Sequence, residues 1–179
     1  MKLGTLEIVS ASENPDLLAP PVRDFVLALG NGGEIGVAEI NPQFSDTAAF
    51  CENYKINPKE AANCVVLEAK RGDKTWFAAC VVPGSARADI NGLGRRTLNA
   101  RRASFAPMER VVEETKMEYG AITPVGLPEN WPILIDKAVF DSEYVVIGSG
   151  IRKSKLIVSG KFLVGLPNAQ ILKGLGKTF

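Results

Sequence analysis

The spacing of apolar residues along the chain predicts alternating short helices and strands. Val22, Phe25, Val26 and Leu29 recur at helical spacing behind Pro21 and ahead of Gly30, so a helix starts at the proline and stops at the glycine. "EIGVAEI" reads as a short strand, and Asp46 is placed to cap a helix over "TAAFCENYK". "NCVVLEAK" and "KTWFAACVV" are β-rich runs on either side of Arg71-Gly72-Asp73, which predicts a hairpin. The second run is almost wholly apolar, as a central strand is. "GLGRRTLNARR" predicts a short helix and a turn, and "PMERVVEETKM" an amphipathic helix beginning at Pro107. "EYVVIGSG" and "SKLIVSG" follow, and "KFLVGLPNAQILKG" looks helical first and loop-like later. The sum is an α+β (mixed α/β) fold in one domain over residues 1–179, a mixed and mostly antiparallel sheet with helices packed on it. Residues 1–60 form a helix-strand-helix lead-in and 61–179 the core.

Composition narrows the function classes. At 179 residues, 46% hydrophobic and 23% charged, the chain has ordinary globular make-up and length enough for one core. Lys plus Arg total 21 against 20 Asp plus Glu, a net charge of +1, which gives no general attraction to nucleic acid or anionic membrane. A polyanion must therefore be met by a local patch. Arg95, Arg96, Arg101 and Arg102 are the strongest basic cluster: either a phosphate-holding group or a solvated face. No run has membrane-spanning length and "MKLGTLEIVSASENPD" has no apolar signal region, so a cytoplasmic protein with no membrane partner is expected. Cys51, Cys64 and Cys80 are odd in number, far apart and set among apolar neighbours, which predicts buried structural thiols.

The chain contains no histidine. Ser-His-Asp and Cys-His catalysis and the usual zinc sites are excluded, and neither metal nor cofactor is expected. "GNGGEIG" over 30–36 lacks the P-loop pattern and runs from helix to strand, the wrong order for a phosphate loop; "GSG" over 148–150 reads as a tight turn. Glu113 and Glu114 are neighbours on a helix and point apart, a poor acid/base pair.

"MEYGAITPVGLPENWPILID", residues 117–136, is different. It is too apolar for a plain loop and too rich in proline for a strand, and "EYGAITPVGLP" resembles the Gly-x-x-x-Pro loop of the YbaK family, free-standing relatives of the editing domain inserted in bacterial prolyl-tRNA synthetases. The hairpin from Asn63, "RRASFAPMERVVEET", the strand end "PILID" with Asp136, and "VVIGSG" with Gly148 follow in the family's order, over about 63–169. The resemblance implies a hydrolase that removes a wrongly attached amino acid from the tRNA 3′ end, with that end as partner and a synthetase as a further one. The ester is activated by the vicinal hydroxyl, so binding, an oriented water and backbone donors suffice. Gly120 is then the key position, Ala121, Ile122, Thr123 and Pro124 shape the loop, and Ile122, Val125 and Leu127 supply an apolar wall. Asp136 orients the loop, contacts an amino group or caps a turn.

Two departures from the family pattern stand out. The family's catalytic lysine falls at Asn63, which hydrogen-bonds but carries no charge. Lys116 stands where the family commonly has glycine, and would return a cation to the pocket or sit in solvent. An editing deacylase and a homologue that binds an aminoacyl-adenosine or RNA end without hydrolysis are thus both open.

Overall fold

The computed structural model describes residues 2–30 and 35–178, so the "GNGGEIG" turn lies largely outside the described residues. Strand β1 (Ile8–Ser10) leads to helix α1 (Pro20–Ala28), which has its prolines in the first turn, buries Val22 and Val26, and is followed by Gly30 at φ +61°. Strand β2 (Gly36–Glu39) precedes α2 (Thr47–Tyr54), which Asp46 caps by accepting from the Ala48 amide at 3.0 Å. The hairpin pairs β3 (Ala62–Arg71) with β4 (Lys74–Pro83), from Ala62↔Pro83 to Arg71↔Lys74. Gly72 turns it at φ +58° with open space around it, a conformation glycine adopts without a Cβ penalty.

After β5 (Ala86–Ala88), a π-helical turn at Ile90–Gly94 runs into α3 (Arg95–Thr97), then β6 (Arg102–Phe105) and α4 (Met108–Thr115). Beyond the proline-rich segment lie β7 (Ile133–Asp136), α5 (Lys137–Phe140), β8 (Val145–Gly148), β9 (Ser154–Val158), α6 (Gly160–Val164), β10 (Ala169–Leu172) and β11 (Gly176–Thr178).

The strands form two principal sheets instead of the one expected. The first is mixed, in the order β10-β7-β4-β3-β6, with β4 central as its apolar run requires; the second is antiparallel, β1-β2-β9-β8. They join where Ala61 bridges Val146 in parallel. The loop-like C-terminal piece is also corrected: β10 pairs in parallel with β7, and β11 with β5. Pro167, Asn168 at φ +58° and Gly174 give this segment turn chemistry on both sides of a short edge strand, and non-local pairing decides its state.

The main core lies between the sheets, where Val22, Val37, Val81, Ile135, Ile147 and Leu156 are almost wholly excluded from water. On the outer side, Leu67, Cys80 and Leu134 pack beneath the π-helical turn, and Phe50, Val146 and Ile157 beneath α2. The segment before β7 is pinned by Trp131 against the Phe77 ring, 5.2 Å between centroids, and by Gly126, where a Cβ would lie 2.6 Å from the Pro21 carbonyl. Among the described residues no helix is long and apolar enough to cross a membrane.

Candidate functional site

Four elements converge at one point: the first residues of β3, the end of β8, the start of β9 and the N-terminal end of α2. Two residues beyond the Ala61↔Val146 bridge come Asn63 on one strand and Gly148 on the other, and Gly148 pairs with Lys155. A Cβ at Gly148 would lie 2.5 Å from the Ala121 carbonyl oxygen and 2.7 Å from that of Ile122. Glycine here is what lets the 120–124 loop seat against the sheet, so the structure gives Gly148 a seating role.

The loop is tied down at its start. Glu118 N–H donates to the Gly150 carbonyl (2.8 Å), Gly150 N–H to the Ala121 carbonyl (2.9 Å) and Ala121 N–H to the Glu118 carbonyl (3.1 Å). Gly120, at φ +80°, is exposed; a Cβ there would stand 3.0 Å from Arg152 Nη1 and 3.9 Å from Ser45 Oγ. The amides of Gly120, Ile122 and Thr123 have no acceptor among the described residues, and Thr123, fully buried, has a hydroxyl without a partner. Buried polar groups are normally paired, which makes the buried Thr123 the exception, and with the Gly120 and Ile122 amides open to solvent the loop is equipped to bind something. Pro124 fixes the far end and borders a separate cleft with Phe25, Leu127 and Leu166. Val125 is fully buried in the main core and is no pocket wall, whereas Ile122 and Leu127 are half-buried.

Ser45, Asp46 and Thr47, leading into α2, connect the two halves of the expected site. Ser45 abuts Gly120, and the Thr47 hydroxyl donates to Asn63 Oδ1. Asn63 opens onto a cavity of about 480 Å³ with Val65, Arg87, Asp89 and Phe105, and Gly120 is not part of its wall. That cavity shares Asn91 with a basic cleft of about 570 Å³, lined by Lys70, Arg95, Arg101 and Arg102 with Glu68 as its acidic residue. It shares Gly84 with an apolar cleft of about 540 Å³ beside Thr47, Cys51 and Ile56. A discontinuous groove therefore runs along the outer face from the arginines past Asn63 to α2. Arg96 is exposed on α3 and does not line the cleft.

Two cations near Gly120 escaped the sequence reading. Arg152 donates through Nη1 to the Tyr119 carbonyl (3.4 Å) and through Nη2 to the Pro42 carbonyl (3.2 Å). Lys155 is buried, donates to the Ser45 carbonyl at 2.8 Å and lies 5.2 Å from the centre of the Phe50 ring. Their one local signal is the basic run "RKSK" directly after the β8 turn.

Other expected roles change. Asp136 caps α5 through the Ala138 amide (2.8 Å) and accepts from Gly176 N–H (2.7 Å), so its place is a staple between β7 and β11; the pocket role is not what the geometry gives it. Lys116 is exposed and closes α4 at φ +57°. A left-handed cap is a position that glycine favours, and among the described residues no bond ties the Lys116 ammonium to the loop. Burial pushes the Cys80 thiol up to about 12 and raises Cys64 further, which leaves them inert as nucleophiles. Among the described residues no cluster of three potential metal-ligating acids or thiols occurs.

Comparison with known proteins bears on the family and the fold. The family model described as "Aminoacyl-tRNA editing domain" matches residues 41–166, which extends the likeness to the segment before α2. A crystal structure of a candidate trans-editing enzyme for prolyl tRNA synthetase superposes with TM-score 0.73 at 22% identity, covering 89% of this chain and 99% of that one. Hypothetical protein APE2540 gives 0.76 at 21%, covering 88% and 99%, and a scaffold used for epitope backbone grafting gives 0.75 at 19%, covering 89% and 97%. These likenesses concern the fold. Among curated proteins no sequence matches significantly.

Proposed function

Since the chain belongs to the aminoacyl-tRNA editing domain family, we propose that it hydrolyses the ester joining a wrongly attached amino acid to the 3′ adenosine of a tRNA, of the type that prolyl-tRNA synthetase mischarges. The observation that carries this reading is the set of unpaired amides at Gly120, Ile122 and Thr123. Backbone donors held in place before the substrate arrives stabilise oxyanion charge without reorganisation. Gly120 lets the substrate approach the backbone, and Pro124 keeps the loop rigid. The vicinal hydroxyl of the terminal ribose activates the ester, so no side-chain nucleophile is required, in keeping with a chain that has no histidine and whose thiols at Cys64 and Cys80 are held protonated by burial. Arg95, Arg101 and Arg102 in the basic cleft, with Arg96 beside it, are suited to hold phosphates of the RNA backbone.

One observation favours a second reading, a homologue that binds without hydrolysis. Asn63 brings no charge, and its carbonyl oxygen already accepts from Thr47. Deacylation of a panel of mischarged tRNAs, measured with the wild type, Gly120→Val and Asn63→Lys alongside binding, separates the two. Turnover that disappears in Gly120→Val supports the deacylase. Binding without turnover in the wild type, with turnover gained in Asn63→Lys, supports the binder.

A further inference from the structure

Lys155 is placed beside the Gly120 loop by the register of the second sheet. It pairs with Gly148, and cross-strand partners project to the same face. On that face the Ala121 and Ile122 carbonyls occupy the space a Cβ at Gly148 would take. The ammonium lies under the N-terminal end of α2, bonded to the carbonyl of the same Ser45 whose hydroxyl abuts Gly120. Asn63 is held at the other end of this segment by Thr47.

An ammonium has three donors, and the Ser45 carbonyl is the one acceptor bonded to it among the described residues. Its neighbours Ala38, Phe50, Cys51 and Ile157 form an apolar cluster, in which an apolar side chain would be the more stable occupant. Stability therefore does not account for a lysine here.

We propose that Lys155 supplies the positive charge of the substrate site, its spare N–H donors meeting an anionic or ester oxygen of the aminoacyl-adenosine, in place of the charge missing at Asn63. This rests on the editing reading. The charged and titratable groups facing it are Asp46 and Cys51 from the α2 side and Arg152 from the β8–β9 turn. Burial is the largest influence and, with Arg152, outweighs Asp46 and Cys51, so the ammonium is pushed down to about 8. It is charged near neutrality and is lost as the pH rises through about 8.

The test is deacylation of the substrate found with the wild type by Lys155→Met, Lys155→Arg and the double variant Lys155→Met/Asn63→Lys, with folding checked by circular dichroism. Lys155→Met is expected to lose about ten- to a hundredfold in rate, the worth of one charged hydrogen bond in the transition state. Adding Asn63→Lys raises the rate by a larger factor in Lys155→Met than in the wild type, whereas a merely structural role of Lys155 gives equal factors in both. The wild-type rate, corrected for spontaneous hydrolysis, falls as pH rises through about 8, and this fall is absent in Lys155→Arg because a guanidinium stays charged. Equal rates for wild type and Lys155→Met overturn the proposal and leave the editing reading standing. A wild type inert on every mischarged tRNA overturns the editing reading and this proposal with it. Should Lys155→Met not fold, a pH profile in Lys155→Arg identical to the wild type's overturns the proposal.

Discussion

Asp136 and Lys155 are both buried ionisable residues, 5% and 8% exposed, yet they are satisfied in opposite ways. Asp136 accepts from two backbone amides, one on each carboxylate oxygen, and joins the start of α5 to β11. Lys155 donates to one carbonyl and otherwise lies against an aromatic ring and apolar side chains, with Asp46 and Arg152 as its charged neighbours. A buried charge that is fully partnered works as a staple; one left partly unpartnered beside a loop with spare amides is equipped for a ligand. The difference separates an architectural carboxylate from the lysine we propose for the site.

The largest effect separating the two is expected on stability. Asp136→Ala removes a helix cap and leaves the Gly176 amide unpaired, which costs about 3 kcal/mol in denaturant unfolding. A loss close to zero would mean that Asp136 is no staple.

Lys155→Met is expected to act in the other direction. A shift from 10.5 to about 8 corresponds to about 3 kcal/mol at 1.36 per unit, and loss of the Ser45 bond returns about 1, so the variant is about 2 kcal/mol more stable at pH 7. The folded-state value is depressed for a base, so between about 8 and 10.5 the unfolded chain binds more protons and the wild type gains stability. The variant's advantage is therefore full below pH 8 and gives way by 10.5 to a wild type ahead by about 1 kcal/mol, the Ser45 bond; melts at both pH values check it.

Asn63→Lys tests whether one cation can stand for the other, with deacylation of the wild type's substrate raised by about tenfold, the gap between a charged and a neutral hydrogen bond. The smallest effect concerns Thr123, a third buried polar group, whose hydroxyl has no partner among the described residues. Thr123→Val exchanges an unpaired hydroxyl for a methyl of similar size and should raise stability by about 1 kcal/mol, read as a shift in the unfolding midpoint.

Much of this organisation was legible locally. The Asp46 cap, the Gly72 hairpin, the central position of β4 and the Gly120–Pro124 loop each depend on residues close together in the chain. The identity of β10 was not, because Ala169–Leu172 is short, half-exposed and flanked by turn formers, and becomes a strand through pairing with β7. Nor was the division into two sheets, which depends on which edges meet at Ala61 and Val146. Which of the three open roles Asp136 takes, and which way Val125 faces, were not legible for the same reason: whether a polar or apolar residue beside a loop faces a pocket or the core depends on what packs over it.

By itself, the amino-acid order determined the helix ends, the hairpin, the absence of imidazole chemistry and the glycine-proline loop, all of them consequences of backbone preference or residue type over a few positions. Only the tertiary structure decided that Lys155 pairs with Gly148, that the Gly120 loop seats on Gly148, and that Ser45 and Thr47 connect that loop to Asn63. The Thr47–Asn63 bond joins residues 16 apart and the Lys155–Ser45 bond residues 110 apart, and no local pattern encodes which side chains such packing brings together.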